Sequence, residues 1–449
     1  MATFVEANHK QLLLLPPDLR DWIPKNDISH FILQAVERVD ISAFKINHRG
    51  SGSPQYHPRL MLSLLIYCYA HGIFSSRRIE RATYRDLGAR FIAANTHPDH
   101  DTICSFRRQN EEAFAKTFFE VLKMAMELKL LRVGTVSVDG TKIDANASIF
   151  KSVRYDRAKA LEKQLRKEVR ERMKEAERAD SSNRPDPDAL PEELANQEKL
   201  AKKLAEAQER IQARAKARAE KERAEQEKRL KERKKHKGRR TGRTPKPPAP
   251  SPGPEEQSNL TDPDSRIMRK NHRAECRQSY NAQAVVETQS MLVLGARVSN
   301  CANDTKELVA DVESIPSDLG LPKTVLADTG YMNGKEVRAL QERGIKVLMA
   351  TKAPSRRKHD FRPEKPKKNK KPQARKPWIL EMRKEMEKKE NQNLYRLRKQ
   401  TVEPVFGIVK RVMGFRPFLL RGIKRVELEW KLVALAYNIK RLHVLTAKG

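Results

Sequence analysis

The spacing of apolar positions changes along the chain, and each change marks a different kind of element. Leu60, Leu62, Leu64, Leu65, Tyr67 and Tyr69 crowd into one segment behind Pro58. Proline suits the first position of a helix, so a largely buried helix is predicted there, interrupted at Gly72. Ser75-Ser76-Arg77-Arg78-Ile79-Glu80-Arg81 reads as an N-capped basic helix, and Pro98-Asp99-His100-Asp101-Thr102-Ile103 followed by Phe106-Arg107-Arg108 as a second. Together they predict a helical N-terminal domain over residues 1–125. Short helices joined by tight turns, with Arg77, Arg78, Arg81, Arg107 and Arg108 near their starts, suit a helix-turn-helix reader of DNA. A helical bundle with solvated arginines fits this stretch nearly as well.

From residue 130 the pattern turns to short β-branched runs. One ends at Asp139, residues 280–287 and 291–298 read as adjacent strands around a tight turn, and residues 324–327 and 345–349 supply two more. Residues 305–312 and 333–343 have helical spacing. Antiparallel strands followed by strands alternating with helices predict a mixed α/β domain, an RNase H-like sheet flanked by helices, built from residues 130–155 and 260–449.

Residues 156–235 interrupt this domain. Leu161, Leu165, Val169 and Met173, then Leu200, Leu204, Ala207 and Ile211, recur at helical spacing in a background of Lys, Glu, Arg, Ala and Gln. That pattern predicts a long charged helical insertion, a hairpin or coiled coil, broken near Ser181-Ser182-Asn183-Arg184-Pro185. Residues 236–259, with Pro245, Pro247, Pro248, Pro250, Pro252 and Pro254, read as a disordered basic-to-proline-rich linker. A further basic loop spans residues 352–376 and includes Lys367, Lys368, Lys370 and Lys371, placed to grip DNA phosphates.

Charge narrows the choice of partner. The 449 residues carry a formal net charge of +34, and since polyanions release counterions on binding such a surface, nucleic acid is the first expectation. A membrane is not expected: no apolar run approaches the ~20 residues of a spanning helix, and Leu12 to Leu15 ends at Pro16-Pro17 without a cleavage-like site. Cys68, Cys104, Cys276 and Cys301 are widely spaced and read as reduced cytosolic thiols. With His57, His71, His97 and His100 nearby a zinc site is conceivable, yet the spacings fit no standard finger.

Three carboxylates carry the candidate chemistry. Asp139 and Asp328 each end a β-branched run and precede a glycine-containing turn, where a buried strand reaches the surface. Glu403 lies on a helix whose Val402, Val405, Phe406, Val409 and Val412 form an apolar face. Lys410, seven residues on, projects from the same opposite face as Glu403, and Pro404 is expected in the first turn. Taken singly, an Asp after a strand is usually a turn residue or a cap. Convergent carboxylates in a basic protein suit Mg²⁺-dependent chemistry on a phosphate backbone, because hard cations take oxygen ligands.

With these residues in place, nearly the whole chain resembles the bacterial insertion-sequence transposases of the DDE class. The resemblance rests on Asp139-Gly140-Thr141, Asp328-Thr329-Gly330-Tyr331, and Tyr395 and Arg398 followed by Glu403 and Lys410. The segments Thr261-Asp262-Pro263-Asp264-Ser265-Arg266 and Tyr280-Asn281-Ala282-Gln283 look like internal signatures of that group, and the N-terminal stretch 52–108 looks like its DNA-binding domain. Four residues rather than the familiar three separate Arg398 from Glu403. The resemblance implies a catalytic triad of Asp139, Asp328 and Glu403 holding two Mg²⁺ ions, with Mn²⁺ as a substitute, and Lys410, Arg398, Tyr395 and Tyr331 binding DNA phosphates nearby. It implies double-stranded DNA partners, namely terminal inverted repeats and target, a homo-oligomer in the DNA complex, and a cytoplasmic, nucleoid-associated location. The competing readings are a metal-dependent DNA nuclease and a non-catalytic, domesticated DNA-binding regulator.

Overall fold

The structure, a computed structural model, describes residues 18–46, 55–180, 190–235, 247–270, 274–351 and 377–447. Lys367, Lys368, Lys370 and Lys371 of the basic loop, the break at 181–187 and the linker segment 236–246 lie outside these residues. Seven helices come first: α1 (Leu19–Trp22), α2 (Ile28–Glu37), α3 (Pro58–Ala70), α4 (Ser76–Arg85), α5 (Leu87–Ile92), α6 (His100–Gln109) and α7 (Glu111–Glu127). There follow β1 (Thr135–Asp144), β2 (Ser152–Arg154), α8 (Tyr155–Asp180), α9 (Leu190–Lys235), β3 (Gln257–Asn259), β4 (Arg266–Arg269), β5 (Cys276–Glu287) and β6 (Val293–Ser299). The chain closes with α10 (Leu308–Glu313), β7 (Thr324–Ala327), α11 (Gly334–Glu342), β8 (Lys346–Met349), α12 (Pro377–Glu387), α13 (Lys389–Gly407) and α14 (Ile423–Thr446). Among them no helix is long and apolar enough to cross a membrane.

The main sheet has the order β4-β5-β1-β7-β8, and β6 also pairs with β5. β1 and β7 are parallel, as are β7 and β8, whereas β5 and β6 are antiparallel. This mixed sheet with flanking helices is compatible with the RNase H-like core expected. β7 is buried along its whole length, as expected of a strand in the middle of a sheet.

Two compact units emerge. The first comprises Met1–Ile143, Asn281–Leu420 and Lys424–Gly449. It therefore joins the N-terminal helices to the sheet, and residue 125 is not a packing boundary as the sequence suggested. The reason is local. Gly72 adopts φ +77, and a Cβ there would stand 2.5 Å from the Met413 carbonyl oxygen, so the turn after α3 lies directly on backbone from the C-terminal half. Phe74 meets Phe415 edge to face at 5.0 Å, and Lys440 donates to the Ala70 carbonyl at 3.2 Å. Leu62, Leu64 and Cys68 of α3 are fully buried, and burying each leucine contributes roughly 1.5–3 kcal/mol.

Arg107 belongs to this packing. Expected on the DNA surface, it is only 3% exposed and donates to the Tyr69 hydroxyl (2.9 Å), the Phe74 carbonyl (3.0 Å) and the Ser76 hydroxyl (3.0 Å). It pins the turn between α3 and α4 from inside. A buried guanidinium must spend its donors in this way, so Arg107 is corrected from a DNA contact to a structural residue. Arg108 is exposed.

The second unit comprises Asp144–Tyr280 and Arg421–Ile423. α8 and α9 run antiparallel, since Gln212 donates to Tyr155 at 2.8 Å and Gln208 to Glu162 at 2.5 Å. The apolar seam between the two helices is short. Val153, Ala158 and Leu204 form the buried cluster, with Leu161, Leu165 and Leu260 packed on it. Further along α9 the inward residues are Ala207, Ile211, Ala215 and Ala219, small enough for close approach. Residues 247–259, read as disordered linker, instead lie along this helix: Arg218 pairs with Glu256 at 2.7 Å, Arg214 donates to the Gln257 carbonyl at 2.9 Å, and β3 pairs antiparallel with β2. Asp262 is fully buried, accepting from the Tyr280 hydroxyl (2.8 and 2.9 Å) and from Gly422 N–H (3.2 Å), which gives the Thr261–Arg266 signature a structural task.

Candidate active site

Parallel pairing brings the two aspartates side by side. Ser137 of β1 aligns with Leu326 of β7, and two residues further on stand Asp139 and Asp328. Side chains on adjacent strands lie about 4.7–4.9 Å apart in the pairing direction, and an equal offset keeps them on one face. Asp139 and Gly140 lie inside β1, which runs on to Asp144, so the turn expected after Asp139 is not there; Asp328 does lead into a short 3₁₀ turn, Thr329–Tyr331, and each carboxylate is oriented by a nearby glycine. Gly140 N–H donates to Asp139 Oδ1 at 2.9 Å, and Gly330 N–H to Asp328 Oδ1 at 2.7 Å, which leaves the second oxygen of each pointing elsewhere. Burial, reinforced by the Asp328 charge, pushes Asp139 up to about 7.

Glu403 arrives differently. Its helix α13 starts at Lys389, so Pro404 is inside the helix rather than in its first turn. A proline there removes one backbone donor, and the helix widens directly afterwards into a π-helical turn, Ile408–Val412. The extra residue in that turn shifts the helical phase. Val402, Val405, Phe406 and Val409 remain buried, whereas Val412, expected on the same face, is 66% exposed.

Arg398 connects the set. Its guanidinium lies 3.4 Å from Asp139 Oδ2 and 3.3 Å from Glu403 Oε1, and it is 9% exposed. A fixed cation thus separates Glu403 from the aspartates, and among the described residues no three carboxylate, histidine or cysteine side chains form a closed metal cage. The three-carboxylate convergence expected from sequence is therefore realised as an aspartate pair with Glu403 held through Arg398. Lys410 donates to the Thr141 hydroxyl and, at 3.4 Å, to the Lys142 carbonyl, placing its charge along β1 just past Asp139. The Tyr395 hydroxyl donates to the Ala327 carbonyl at 3.2 Å and steadies the end of β7. Tyr331 corrects an expectation: it is fully buried and its hydroxyl donates to Gln283 Oε1, so it props the Asp328 turn from beneath and does not face phosphate.

One carboxylate escaped the sequence reading. Asp304 Oδ1 accepts from Asn281 Nδ2 and from Gln283 Nε2, each at 2.7 Å. Asn281 and Gln283 are two apart on β5 and so share a face, which is the available signal in the Tyr280-Asn281-Ala282-Gln283 signature. A Cβ on Gly140 would stand 2.7 Å from Asp304 Oδ1 and 2.8 Å from Asn281 Oδ1. Gly140→Ala is therefore expected to destabilise the protein by about 1–3 kcal/mol in urea unfolding, as overpacking does. Gly134→Ala, with nothing within 4 Å, is the control and should be near neutral. Equal midpoints for the two variants would refute the close packing at Gly140.

A family model described as the transposase DDE domain matches residues 249–439, and one described as a transposase domain (DUF772) matches residues 17–109. The DDE match includes Asp328 and Glu403, and Asp139 lies outside both, on the far side of the α8–α9 insertion. No curated protein and no solved structure matches the chain. The two matches indicate an insertion-sequence transposase of the DDE type. The chain belongs to the DDE transposases of insertion sequences.

Proposed function

We propose that this transposase cuts the ends of its element and joins the freed 3′ ends to target DNA, using divalent cations held by Asp139, Asp328 and Glu403. The observation that carries this reading is the aspartate pair on adjacent parallel strands, bridged on to Glu403 by a guanidinium. The donors fit Mg²⁺, or Mn²⁺ in its place: all are hard oxygens, one oxygen of each aspartate is left outside the hydrogen bonds from Gly140 and Gly330, and the like charges of the pair call for positive charge between them. When bound, such ions activate a hydroxyl nucleophile and stabilise the departing oxygen of the phosphodiester. The protein's own part is orientation and charge. Gly140 and Gly330 N–H groups fix the aspartates, Arg398 holds Asp139 and Glu403 in one geometry, and Lys410 adds positive charge where a phosphate backbone would pass.

For recognition, α3, its Gly72 turn and α4 form a helix-turn-helix in which α4 is the second helix, the one such motifs place in the major groove. Arg77, Arg78, Arg81, Tyr84 and Arg85 are exposed and share one side of α4 at about 100° per residue, whereas Ile79, Ala82 and Thr83 are buried. The acid of this helix, Glu80, is withdrawn: it accepts from His100 N–H at 3.2 Å and pairs with the His100 ring at 2.8 Å. Transposition joins two ends, so a homo-oligomer on double-stranded DNA, at the nucleoid, completes the proposal.

The test incubates full-length protein and Mg²⁺ with a labelled duplex copied from the inverted repeats flanking the gene, plus supercoiled plasmid. Labelled duplex covalently joined to plasmid is expected. Cleavage without joining would identify a nuclease, and binding without cleavage a regulator.

A further inference from the structure

Asp304 stands where neither the family boxes nor the fold's hydrogen bonding accounts for its charge. Its Oδ1 is gripped by two neutral amides, from Asn281 and Gln283. Either amide could equally hold a neutral side chain, so the grip explains the orientation and not the ionised group. The backbone adds a further restraint, since Glu307 N–H donates to the Asp304 carbonyl at 3.1 Å. The side chain is consequently locked, while Oδ2 takes no hydrogen bond and the carboxylate forms no ion pair among the described residues.

Its position is between the Asp139–Gly140 stretch of β1 and the Asp328 turn. Measured from where a Cβ on Gly140 would be, just past Asp139, Asp304 Oδ1 lies at 2.7 Å. Measured from a Cβ on Gly330, just past Asp328, Asp304 Oδ2 lies at 3.6 Å and Asp328 Oδ1 at 2.8 Å. Gly140 therefore makes room for the Asp304 carboxylate, whose unbonded oxygen lies on the Asp328 side at ordinary contact distance from Gly330. The same network ties down the Asp328 turn, because Gln283 holds Asp304 with its amide nitrogen and accepts from Tyr331 with its amide oxygen. A charge held beside two others adds to the local repulsion, which a bound divalent cation would relieve.

We infer that Asp304 is a fourth carboxylate of the active site, a positioning residue that sets the Asp139–Gly140 stretch of β1 and the Asp328 turn and whose charge strengthens divalent-cation binding by the Asp139–Asp328 pair. This rests on the proposed metal-holding role of that pair, and the experiment separates the two. Full-length protein is titrated with Mn²⁺ alone, without DNA, by calorimetry and by thermal unfolding, for the unaltered chain and for Asp139→Asn, Asp304→Asn and Asp304→Glu. Residues that orient metal ligands typically account for 10–100-fold in affinity, so Asp304→Asn should weaken Mn²⁺ binding by that factor. Its metal-free melting temperature should be equal to or above that of the unaltered chain, because Asn keeps an acceptor for the amides and removes repulsion. Asp304→Glu should recover part of the affinity. The Mn²⁺-induced rise in melting temperature should shrink in parallel.

If Asp139→Asn weakens Mn²⁺ binding and Asp304→Asn does not, the inference about Asp304 fails while the metal site stands. If the unaltered chain binds no Mn²⁺, or Asp139→Asn leaves binding unchanged, the metal-site reading itself fails and takes this inference with it. A fall in metal-free stability for Asp304→Asn, with affinity unrecovered in Asp304→Glu, would show that the carboxylate is merely structural.

Discussion

Asp139→Asn, Asp328→Asn and Glu403→Gln should each abolish cleavage of an element-end duplex while leaving its binding intact. Each substitution removes a charge and keeps the size of the side chain, so the sheet, the turns and α13 persist. What is lost is the negative charge that holds a cation against the scissile phosphate, an interaction of several kcal/mol in the transition state. At 1.36 kcal/mol per tenfold, the rate should fall by about 10³ or more. Glu403 offers the sharpest comparison. Its carboxylate reaches Asp139 only through Arg398, and its side chain is half exposed. If it acts in the triad, Glu403→Gln should be as severe as the aspartate variants. Single-turnover cleavage with Mg²⁺ decides this, and a variant that cuts at the unaltered rate is removed from the triad.

Much of this site was legible because its geometry is written in local patterns. The β-branched runs before both aspartates became neighbouring parallel strands, although only Asp328 stands at a strand end, since β1 continues past Asp139 to Asp144. The helices α8 and α9 were visible for a similar reason, since Leu161, Leu165, Leu204 and Ile211 recur at one period. The third box was harder. Residues 389–400 show little apolar periodicity and their N-cap, Lys388, makes no side-chain capping bond, so α13 could be seen only from Val402 onward and Pro404 was read as its start. The π-helical turn follows that proline, and its shift of phase helps turn Val412 to solvent.

Other features depend on contacts between residues far apart in sequence. That Gly72 needs to be glycine follows from a backbone approach by Met413, and no local pattern announces it. Arg107 is indistinguishable in sequence from Arg108 beside it. Helical phase separates them: one side of α6 turns to Tyr69 and Phe74, and the other to solvent. Asp304 sits in a loop without a preceding β-branched run, so only the facing amides of Asn281 and Gln283 could have pointed to it. The aromatic chain Tyr69, Phe74, Phe415 and Phe418 likewise joins residues far apart in sequence, which the helical spacing of residues 1–125 could not show.

Replacing Arg77, Arg78, Arg81 and Arg85 together with alanine should destroy specific DNA binding without unfolding the protein. All four side chains are exposed, and alanine is the best helix former, so α4 itself should be preserved or slightly stabilised. A base-reading arginine is worth about 1–3 kcal/mol of discrimination, and each phosphate contact contributes about 0.9 to the slope of log affinity against log salt. Loss of the whole face should therefore cost about 10³-fold in affinity for the end duplex and flatten the salt dependence. Arg107→Ala provides the contrast: it leaves the surface charge of α4 untouched but unpins the turn behind it, so it should lower the melting temperature first. Fluorescence anisotropy on end and scrambled duplexes over a salt series, with thermal unfolding of the same samples, distinguishes these outcomes. Discrimination that survives the fourfold replacement would remove α4 from the groove and send the search for the reading element to α6 and its exposed Arg108.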